Sequence, residues 1–229
     1  MDRELASYPK KVAEMIPVLA FPTYARHDLA QRMIDSIDYP VEHLVIVDNS
    51  GKRVFEPVKP DTVKNLWLIQ VPFGLGPAAA MNFVIKSTPH AKYWVFASED
   101  TYCAPGALEK IHNEVDTEAL NFTDAVPDWC FLAIGEGVIL KAGLCSELFH
   151  PLYFDDNDYE RIIDAHGIPK KRIHATIHHD NSSTIAAGYG PKNNYTFSIN
   201  QRLYEQRRAE NNLTGGEWSL RIRRENSWD

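Results

Sequence analysis

The sequence has no apolar run that approaches the roughly 20 residues of a membrane-spanning helix. Residues 1–11 are polar and charged, so we expect no secretory signal. Cysteine is scarce: the chain has three, none in a CxxC spacing, which is typical of buried thiols in a reducing compartment. Together these absences predict a cytoplasmic protein without a transmembrane segment.

A surplus of positive charge is also missing. The chain has 24 lysines and arginines against 31 aspartates and glutamates, a net charge of −7, which disfavours nucleic acid as a partner without excluding it. We interpret the arginines near the C-terminus as a solvated helix face. What is present, 44% hydrophobic and 24% charged residues in a chain of 229, predicts a single globular domain over 1–229.

The first half alternates short apolar strands with turns and amphipathic helices. Strands are predicted at Val18–Phe21, Leu44–Val47, Leu66–Val71 and Tyr93–Ala97. Such a pattern predicts an α/β fold with a mostly parallel sheet covered on both faces. The strands are followed by polar or small residues: Thr23, Asp48, Gly74 and Asp100. Because ligands of these sheets bind at the carboxyl ends of the strands, a site is expected there.

The second half has a mixed pattern. Short strands are predicted at Phe131–Ile134 and Val138–Leu140, and an alternating strand at Arg172–His178. A helix is predicted to begin at the acidic run from Asp155, where carboxylates meet free amides and the positive end of the helix dipole. A final helix is predicted over Tyr195–Asn211.

Several groups have residue types and positions that suit chemistry. Asp100, directly after a buried strand, suits Mg²⁺ or Mn²⁺, which prefer hard oxygen ligands. Asp155, Asp156 and Asp158 are three acids within four residues that repel one another, which can raise a pKa or attract a cation, and one of them suits a general base. Asp48 suits hydrogen bonds to a base or ribose, and His178 suits metal ligation. Each also has a structural alternative: a capped turn, a helix N-cap, an Asx turn or a polar loop.

The order of these elements resembles the family 2 glycosyltransferases of the GT-A fold, in particular the rhamnosyltransferase-like members. The matching segments lie within residues 16–205: Phe21-Pro22-Thr23-Tyr24, Val47-Asp48-Asn49-Ser50, Gly74 and Gly76 with Asn82, Pro105-Gly106-Ala107-Leu108, Asp155-Asp156-Asn157-Asp158 with Arg161, and His178 through Ser183. The resemblance implies a GT-A fold with a nucleotide-binding half at 1–115 and an acceptor and closure half at 116–229.

The resemblance also implies the activity: transfer of a sugar, with inversion, from a nucleotide-sugar to an unknown hydroxyl acceptor. UDP is the expected nucleotide, with dTDP and GDP as alternatives. The donor-binding residues that it implies are Thr23, Asp48, Gly76, Asn82, Ser98, Glu99 and Lys192. The base that it implies is Asp156, beside Asp155. The ligands that it implies for Mn²⁺ or Mg²⁺ are Asp100 and His178, with His179 as the substitute for His178. The family's Asp-x-Asp metal motif is Ser98-Glu99-Asp100 here, which weakens the implied metal dependence.

Two other functions fit parts of the sequence. The segment Gly74-Leu75-Gly76-Pro77-Ala78-Ala79, with Asp100 downstream, matches a dinucleotide-binding fingerprint and indicates an NAD(P)-dependent oxidoreductase. That match follows the third strand instead of the first, and it leaves the acidic run without a role. The Ser98 departure fits a catalytically inactive nucleotide-sugar-binding module. Independently of these alternatives, the glycines at 188 and 190 predict a lid over 184–194 that becomes ordered with the donor.

Overall fold

The computed structural model describes residues 15–24, 26–52, 54–180, 190–214 and 218–225, except for the side chains at 190–193, 222, 223 and 225. Their fold is α/β. The strands are β1 (Ile16–Thr23), β2 (Val41–Asp48), β3 (Val63–Gln70), β4 (Tyr93–Ala97), β5 (Thr101–Cys103), β6 (Leu120–Phe122), β7 (Phe131–Gly135), β8 (Lys170–Arg172) and β9 (Ile177–His179). The helices are α1 (His27–Asp35), α2 (Pro77–Ser87), α3 (Ala107–Glu114), α4 (Glu136–Ala142), α5 (Asp155–Ala165), α6 (Gly190–Ala209) and α7 (Leu220–Glu225).

Seven strands form the central sheet in the order β3-β2-β1-β4-β7-β6-β8. The pairs among β1 to β4 are parallel, β7 is antiparallel to both β4 and β6, and β8 is parallel to β6. Strands β5 and β9 form a separate antiparallel pair. The chain moves outward from β1 to β3 and then returns to β4 on the other side of β1. The topological switch point, where ligands of such sheets bind, therefore lies between β1 and β4.

Both faces of the sheet are buried. Successive strand residues point to opposite faces, so Leu19 packs with α1 and α3 on one side while Val18 packs with α2, α4 and α5 on the other. Burial on both faces explains why β1, β2 and β4 read as continuous apolar runs in the sequence. The four strands predicted in the first half are confirmed. Strands β6 to β8, from the second half, extend the same sheet.

The strand predicted at Val138–Leu140 is wrong, because these residues lie in α4. Strand β7 ends at Gly135, where a Cβ would lie 2.2 Å from the carbonyl oxygen of Thr117. The amides of Gly135 and Gly137 donate to the carbonyls of Ala119 and Thr117 (3.1 and 2.8 Å), which turns the chain out of the sheet. A three-residue apolar run does not distinguish a strand from a buried helix.

The alternating stretch predicted at Arg172–His178 keeps its alternation but is not one strand. Ile173 and Ala175 are buried, whereas His174 and Thr176 are exposed, as the pattern predicts. The chain leaves the central sheet after β8 and pairs with β5 only from Ile177 onward. Among the described residues, no helix has the length and apolar character needed to cross a membrane.

Candidate functional site

The switch point is held together by a buried hydrogen bond between the ends of β1 and β4. The Thr23 hydroxyl donates to Glu99 Oε2 at 2.5 Å, and the Tyr24 amide donates to the same oxygen at 2.9 Å. Both Thr23 and Glu99 are buried. These two predicted donor-binding residues therefore bind each other and join the ends of β1 and β4, and their role in donor binding stays a prediction.

Asp48 ends β2, directly beside Thr23 in the β1–β2 register, and is only 1% exposed. Its Oδ1 accepts the Ser50 amide at 2.9 Å in an Asx turn and lies 3.6 Å from His27 Nε2. Asp48 Oδ2 and His27 Nε2 are both buried without a hydrogen-bond partner. The His27 ring stacks on Phe55, with centroids 4.6 Å apart, and covers the carboxylate. Because Asp48 is 1% exposed, contact with a nucleotide requires a rearrangement of the groups around it, such as the His27 ring.

Asp100 faces His179 across the β5–β9 pair, with Oδ1 3.2 Å from His179 Nε2. His178 instead stacks on Tyr102, with centroids 4.7 Å apart, and is exposed. The structure thus brings the substitute ligand, His179, next to Asp100, and directs the His178 side chain to the other face of β9.

The His179 tautomer is fixed by its second nitrogen. Nδ1 lies 2.8 Å from the Val126 carbonyl oxygen, which only accepts, so Nδ1 carries a proton. Nε2 lies 3.2 Å from Asp100 Oδ1, so the two side chains form an ion pair when the ring is protonated, and when the ring is neutral the Nε2 lone pair faces the carboxylate. The distance suits adjacent ligands of one ion with bonds of about 2.1 Å, and a backbone carbonyl is a usual outer partner of a metal-binding histidine.

The protein contributes few metal ligands. Among the described ranges, no group of three or more His, Cys, Asp or Glu side chains could hold an ion. Mg²⁺ is commonly bound through one or two carboxylates, with substrate phosphates and water completing its shell. Asp100 and His179 therefore fit a divalent cation that the phosphates of a ligand would complete.

The glycine-rich turn after β3 packs against the loop that precedes α5. Gly76 has a φ of +81°, and a Cβ there would lie 2.4 Å from the Pro151 carbonyl oxygen, so this position requires glycine. The Leu75 amide donates to Asn49 Oδ1 at 2.8 Å, and the Leu75 carbonyl lies 3.2 Å from His150 Nδ1. The turn consequently connects the end of β2 with the loop at 150–154. The turn follows the edge strand β3. A dinucleotide-binding turn would instead follow β1, the strand at the switch point.

Asn82 lies on α2, 1% exposed, with its amide group directed at the loop after α4. Its Nδ2 donates to the Cys145 carbonyl and to Glu147 Oε1, both at 2.9 Å, and its Oδ1 accepts the Cys145 amide at 3.1 Å. The predicted donor-binding asparagine thus holds two backbone groups of the 144–147 loop.

Asp155 and Asp156 begin α5 and are partly buried. Burial, together with the neighbouring Asp156 charge, raises the pKa of Asp155 from 3.8 to about 6. Burial also raises the pKa of Asp156, with a smaller contribution from Glu160, although Asp156 Oδ1 accepts the Asn157 amide at 2.8 Å. The two carboxyl groups therefore hold protons more tightly than ordinary aspartates, as a general base working near neutral pH should.

Asp158, the third acid of the run, is completely buried and differs from the first two. Arg207 from α6 donates to both of its oxygens, at 3.0 to 3.2 Å, and Arg161 Nη2 donates to Oδ1 at 2.9 Å. Arg207 and Arg161 also donate to the carbonyls of Thr214 and Asn212. Asp158 therefore attaches α5 to α6 and to the chain that follows α6.

Two predicted donor-binding residues remain. Ser98 is partly buried at the mouth of the switch point, where its amide donates to the Cys130 carbonyl at 2.7 Å. The Lys192 side chain and residues 184–189 of the predicted lid lie outside the described residues. Sequence reasoning missed His27 and Arg207, since a histidine at a helix start and an arginine on a polar helix give no signal of burial.

Neither a protein-family model nor a curated protein sequence matches the chain. Among solved structures, the chain is similar to a mannosyltransferase from Pyrobaculum calidifontis in complex with GDP-Man and Mn²⁺, with TM-score 0.51 and 16% identity over 73% of this chain and 59% of that one. An inositol-1-phosphate CTP transferase from T. maritima gives TM-score 0.50 and 13% identity over 75% and 91%. For S. aureus TarS 1–349 in complex with UDP, the TM-score is 0.49 and the identity is 14%, over 65% of this chain and 54% of that one.

These likenesses concern the fold. The chain has the predicted α/β fold with a mostly parallel sheet, and it shares this fold with the mannosyltransferase and the CTP transferase. It spans 59% of the length of the mannosyltransferase chain. Membership of the rhamnosyltransferase-like group stays a prediction, as do the roles of the individual site residues.

Proposed function

We propose that this chain is a glycosyltransferase that takes its sugar from a nucleoside diphosphate sugar. One observation carries the proposal. The loop that leads into Asp155 packs on the Gly74–Gly76 turn, and that turn packs on Asn49 beside Asp48, so the raised-pKa acids border the same edge as the switch point. A donor at the switch point and a base beside it are what transfer to a hydroxyl group requires. The mannosyltransferase complex with GDP-Man agrees with this.

In the proposed reaction, Asp156 removes the proton of the acceptor hydroxyl. The acceptor oxygen forms a bond to the anomeric carbon as the bond from that carbon to the diphosphate oxygen breaks, which inverts the centre. The proton ends on the Asp156 carboxylate and the nucleoside diphosphate leaves. Asp155 lies beside Asp156 and has a pKa raised to about 6 by burial. The two carboxyl groups together are therefore suited to accept a proton near neutral pH.

Asp100 and His179 would hold Mn²⁺ or Mg²⁺ on the donor diphosphate. When bound, the ion supplies positive charge to the leaving group. We propose His179 in place of His178, because His179 Nε2 faces Asp100 while His178 stacks on Tyr102. Calorimetry of UDP binding in the presence of Mn²⁺ or of EDTA tests whether His179 or His178 is the metal ligand. His179→Ala should abolish the Mn²⁺ dependence and His178→Ala should retain it; equal UDP affinity in Mn²⁺ and EDTA for the unmodified protein would remove the metal from the proposal.

The proposed activity is tested with a donor screen. The purified chain is incubated with UDP-sugars and GDP-sugars, and mass spectrometry measures nucleoside diphosphate release and transfer to added acceptors. Asp156→Asn should lower transfer by about 10²–10⁴-fold, because it removes the general base. Asp164→Asn, an exposed change on the same helix, is the matched control. Near-normal transfer by Asp156→Asn would show that another group is the base.

A second candidate is nucleotidyl transfer to a sugar or polyol phosphate. The CTP transferase favours it, since 91% of that chain is covered, the largest share among these comparisons. The two reactions release different products: nucleoside diphosphate from a nucleotide-sugar, or pyrophosphate from a nucleoside triphosphate. Pyrophosphate release with CTP and a phosphorylated acceptor, without turnover of any nucleotide-sugar, would replace the first proposal by the second.

A further inference from the structure

Four aromatic side chains lie beside the Asp155 and Asp156 acids. Tyr153 and Phe154 directly precede the acids in sequence, and the rings of Phe197 and Tyr204 on α6 pack against the rings of Tyr153 and Phe154. The ring centroids are 5.0 Å apart for Phe154 and Phe197, 5.4 Å for Tyr153 and Phe197, and 5.6 Å for Phe154 and Tyr204. None of the four is fully buried, and Phe197 is 42% exposed. We call this group, Tyr153, Phe154, Phe197 and Tyr204, the aromatic platform.

The backbone under the aromatic platform is strained. Tyr153 and Phe154 have φ values of +78° and +69°, a left-handed conformation that side chains other than glycine rarely adopt. Two such residues in succession cost free energy, and such strain persists where the surrounding structure imposes it, often at ligand sites. Here Asn200 on α6 holds the loop through the Leu152 carbonyl, at 2.8 Å. Core packing does not account for the strain, because the strained rings remain partly exposed.

We infer that the aromatic platform is the acceptor subsite and that the acceptor is a neutral carbohydrate. The inference rests on the proposed function. An aromatic face carries negative charge density, and the C–H groups on one face of a pyranose ring present weak positive charge to it. The sugar's hydroxyl groups lie around the ring edge and stay free. A sugar stacked on Phe197 or Phe154 can therefore direct one hydroxyl toward Asp156 while its other hydroxyls stay in water.

The charges next to the aromatic platform favour a neutral ligand. Asp155 and Asp156 lie at its border, and Glu160 is one turn further along α5, close enough to raise the pKa of Asp156. An acceptor that carries phosphate or carboxylate groups would meet these like charges, which oppose its binding. A neutral glycan meets no such repulsion, and its hydroxyl groups can donate hydrogen bonds to the carboxylates.

The inference is tested by binding alone, without donor. Saturation-transfer NMR and calorimetry are run on the full chain with maltotriose, cellotriose, mannotriose and chitotriose. We expect at least one of these to bind, with about tenfold weaker affinity in Phe197→Ala. Phe197→Tyr should retain binding and Phe197→Leu should not, which separates stacking on an aromatic face from plain apolar contact. Trp67→Ala, at a half-exposed tryptophan on β3, is the control.

The outcomes separate this inference from the proposed function. Glycan binding that depends on an aromatic residue at 197 supports the platform even if no nucleotide-sugar is turned over, in which case the proposed function fails alone. Absence of binding by all four trisaccharides would overturn the inference. So would equal binding by Phe197→Leu and Phe197→Tyr. Sedimentation with phosphatidylcholine–phosphatidylglycerol vesicles that is lost in Phe197→Ala, with no glycan binding, would assign the surface to a membrane instead.

Discussion

The carboxyl edge of the sheet and the start of α5 both collect acidic side chains, but the two regions treat them differently. At the edge, Glu99 accepts two hydrogen bonds and Asp48 lies under a histidine ring. At the start of α5, Asp155 and Asp156 are partly buried, and burial and neighbouring acids raise their pKa values. Polar groups that bind one another hold a structure, whereas desolvated groups without a counter-charge are available for chemistry. The comparison separates acids that contact neighbouring side chains at the edge from acids that are desolvated at the helix start.

The strongest test of this comparison concerns Asp158, the acid of the run that is paired with two arginines. Arg207→Met removes the partner that contacts both oxygens of Asp158, which leaves a buried charge held by Arg161 alone. We expect the free energy of unfolding to fall by about 3–5 kcal/mol in chemical denaturation. Arg202→Met, an exposed change on the same helix, should stay within about 0.5 kcal/mol. A loss below about 1 kcal/mol for Arg207→Met would mean that the ion pair does not hold α6.

Asn82 tests whether an edge residue has a structural or a ligand-binding role. Asn82→Ala removes three hydrogen bonds and leaves the buried Cys145 amide and carbonyl without this partner. We expect a loss of about 2–3 kcal/mol in the free energy of unfolding, with UDP affinity unchanged where the protein is folded. Asn113→Ala, an exposed asparagine, should have little effect. Weaker UDP binding at unchanged stability would restore the donor-binding role that the sequence predicted.

Substitution of Asp155 should raise the free energy of unfolding, whereas the two changes above lower it. Its folded-state pKa of about 6 lies above the ordinary 3.8, so the folded state binds more protons and stability falls as pH rises from about 4 to about 6. Asp155→Asn removes this penalty, and we expect it to stabilise the protein by about 1–3 kcal/mol at pH 8 and by little at pH 4. Denaturation at the two pH values measures it, with exposed Asp61→Asn as control. Destabilisation at pH 8 would mean that the charged form is favoured by the fold.

The smallest expected effect concerns Asp48 and the ring that covers it. If the carboxylate binds the nucleotide after His27 moves, Asp48→Asn should weaken UDP binding by about tenfold, while His27→Ala should strengthen it a few-fold by removing a closed state. Calorimetry with UDP compares the two variants. Equal weakening by both changes would instead indicate that His27 itself contacts the nucleotide.

The sequence predicted the sheet better than the site. Runs such as Leu44–Val47 and Tyr93–Ala97 are apolar on both faces, and that pattern follows from burial alone. Site geometry depends on contacts distant in sequence that no local pattern records. The Thr23–Glu99 bond spans 76 positions, and Asn82 reaches Cys145 across 63. The choice between His178 and His179 follows from the β5–β9 register, which brings His179 and not His178 to Asp100.

The Asp158–Arg207 ion pair also bears on how new specificities could arise in this fold. It holds α6 to α5 through a buried contact, while the side chains of Tyr195, Phe197 and Ile199 on α6 are exposed to solvent. Tyr195 and Ile199 have no contact with this ion pair or with the acids on α5 among the ring contacts and ion pairs described above, so substitutions there should leave both in place. If the proposed acceptor subsite is correct, libraries that vary the exposed positions of α6 while conserving Arg207 should alter acceptor preference without a large loss of stability.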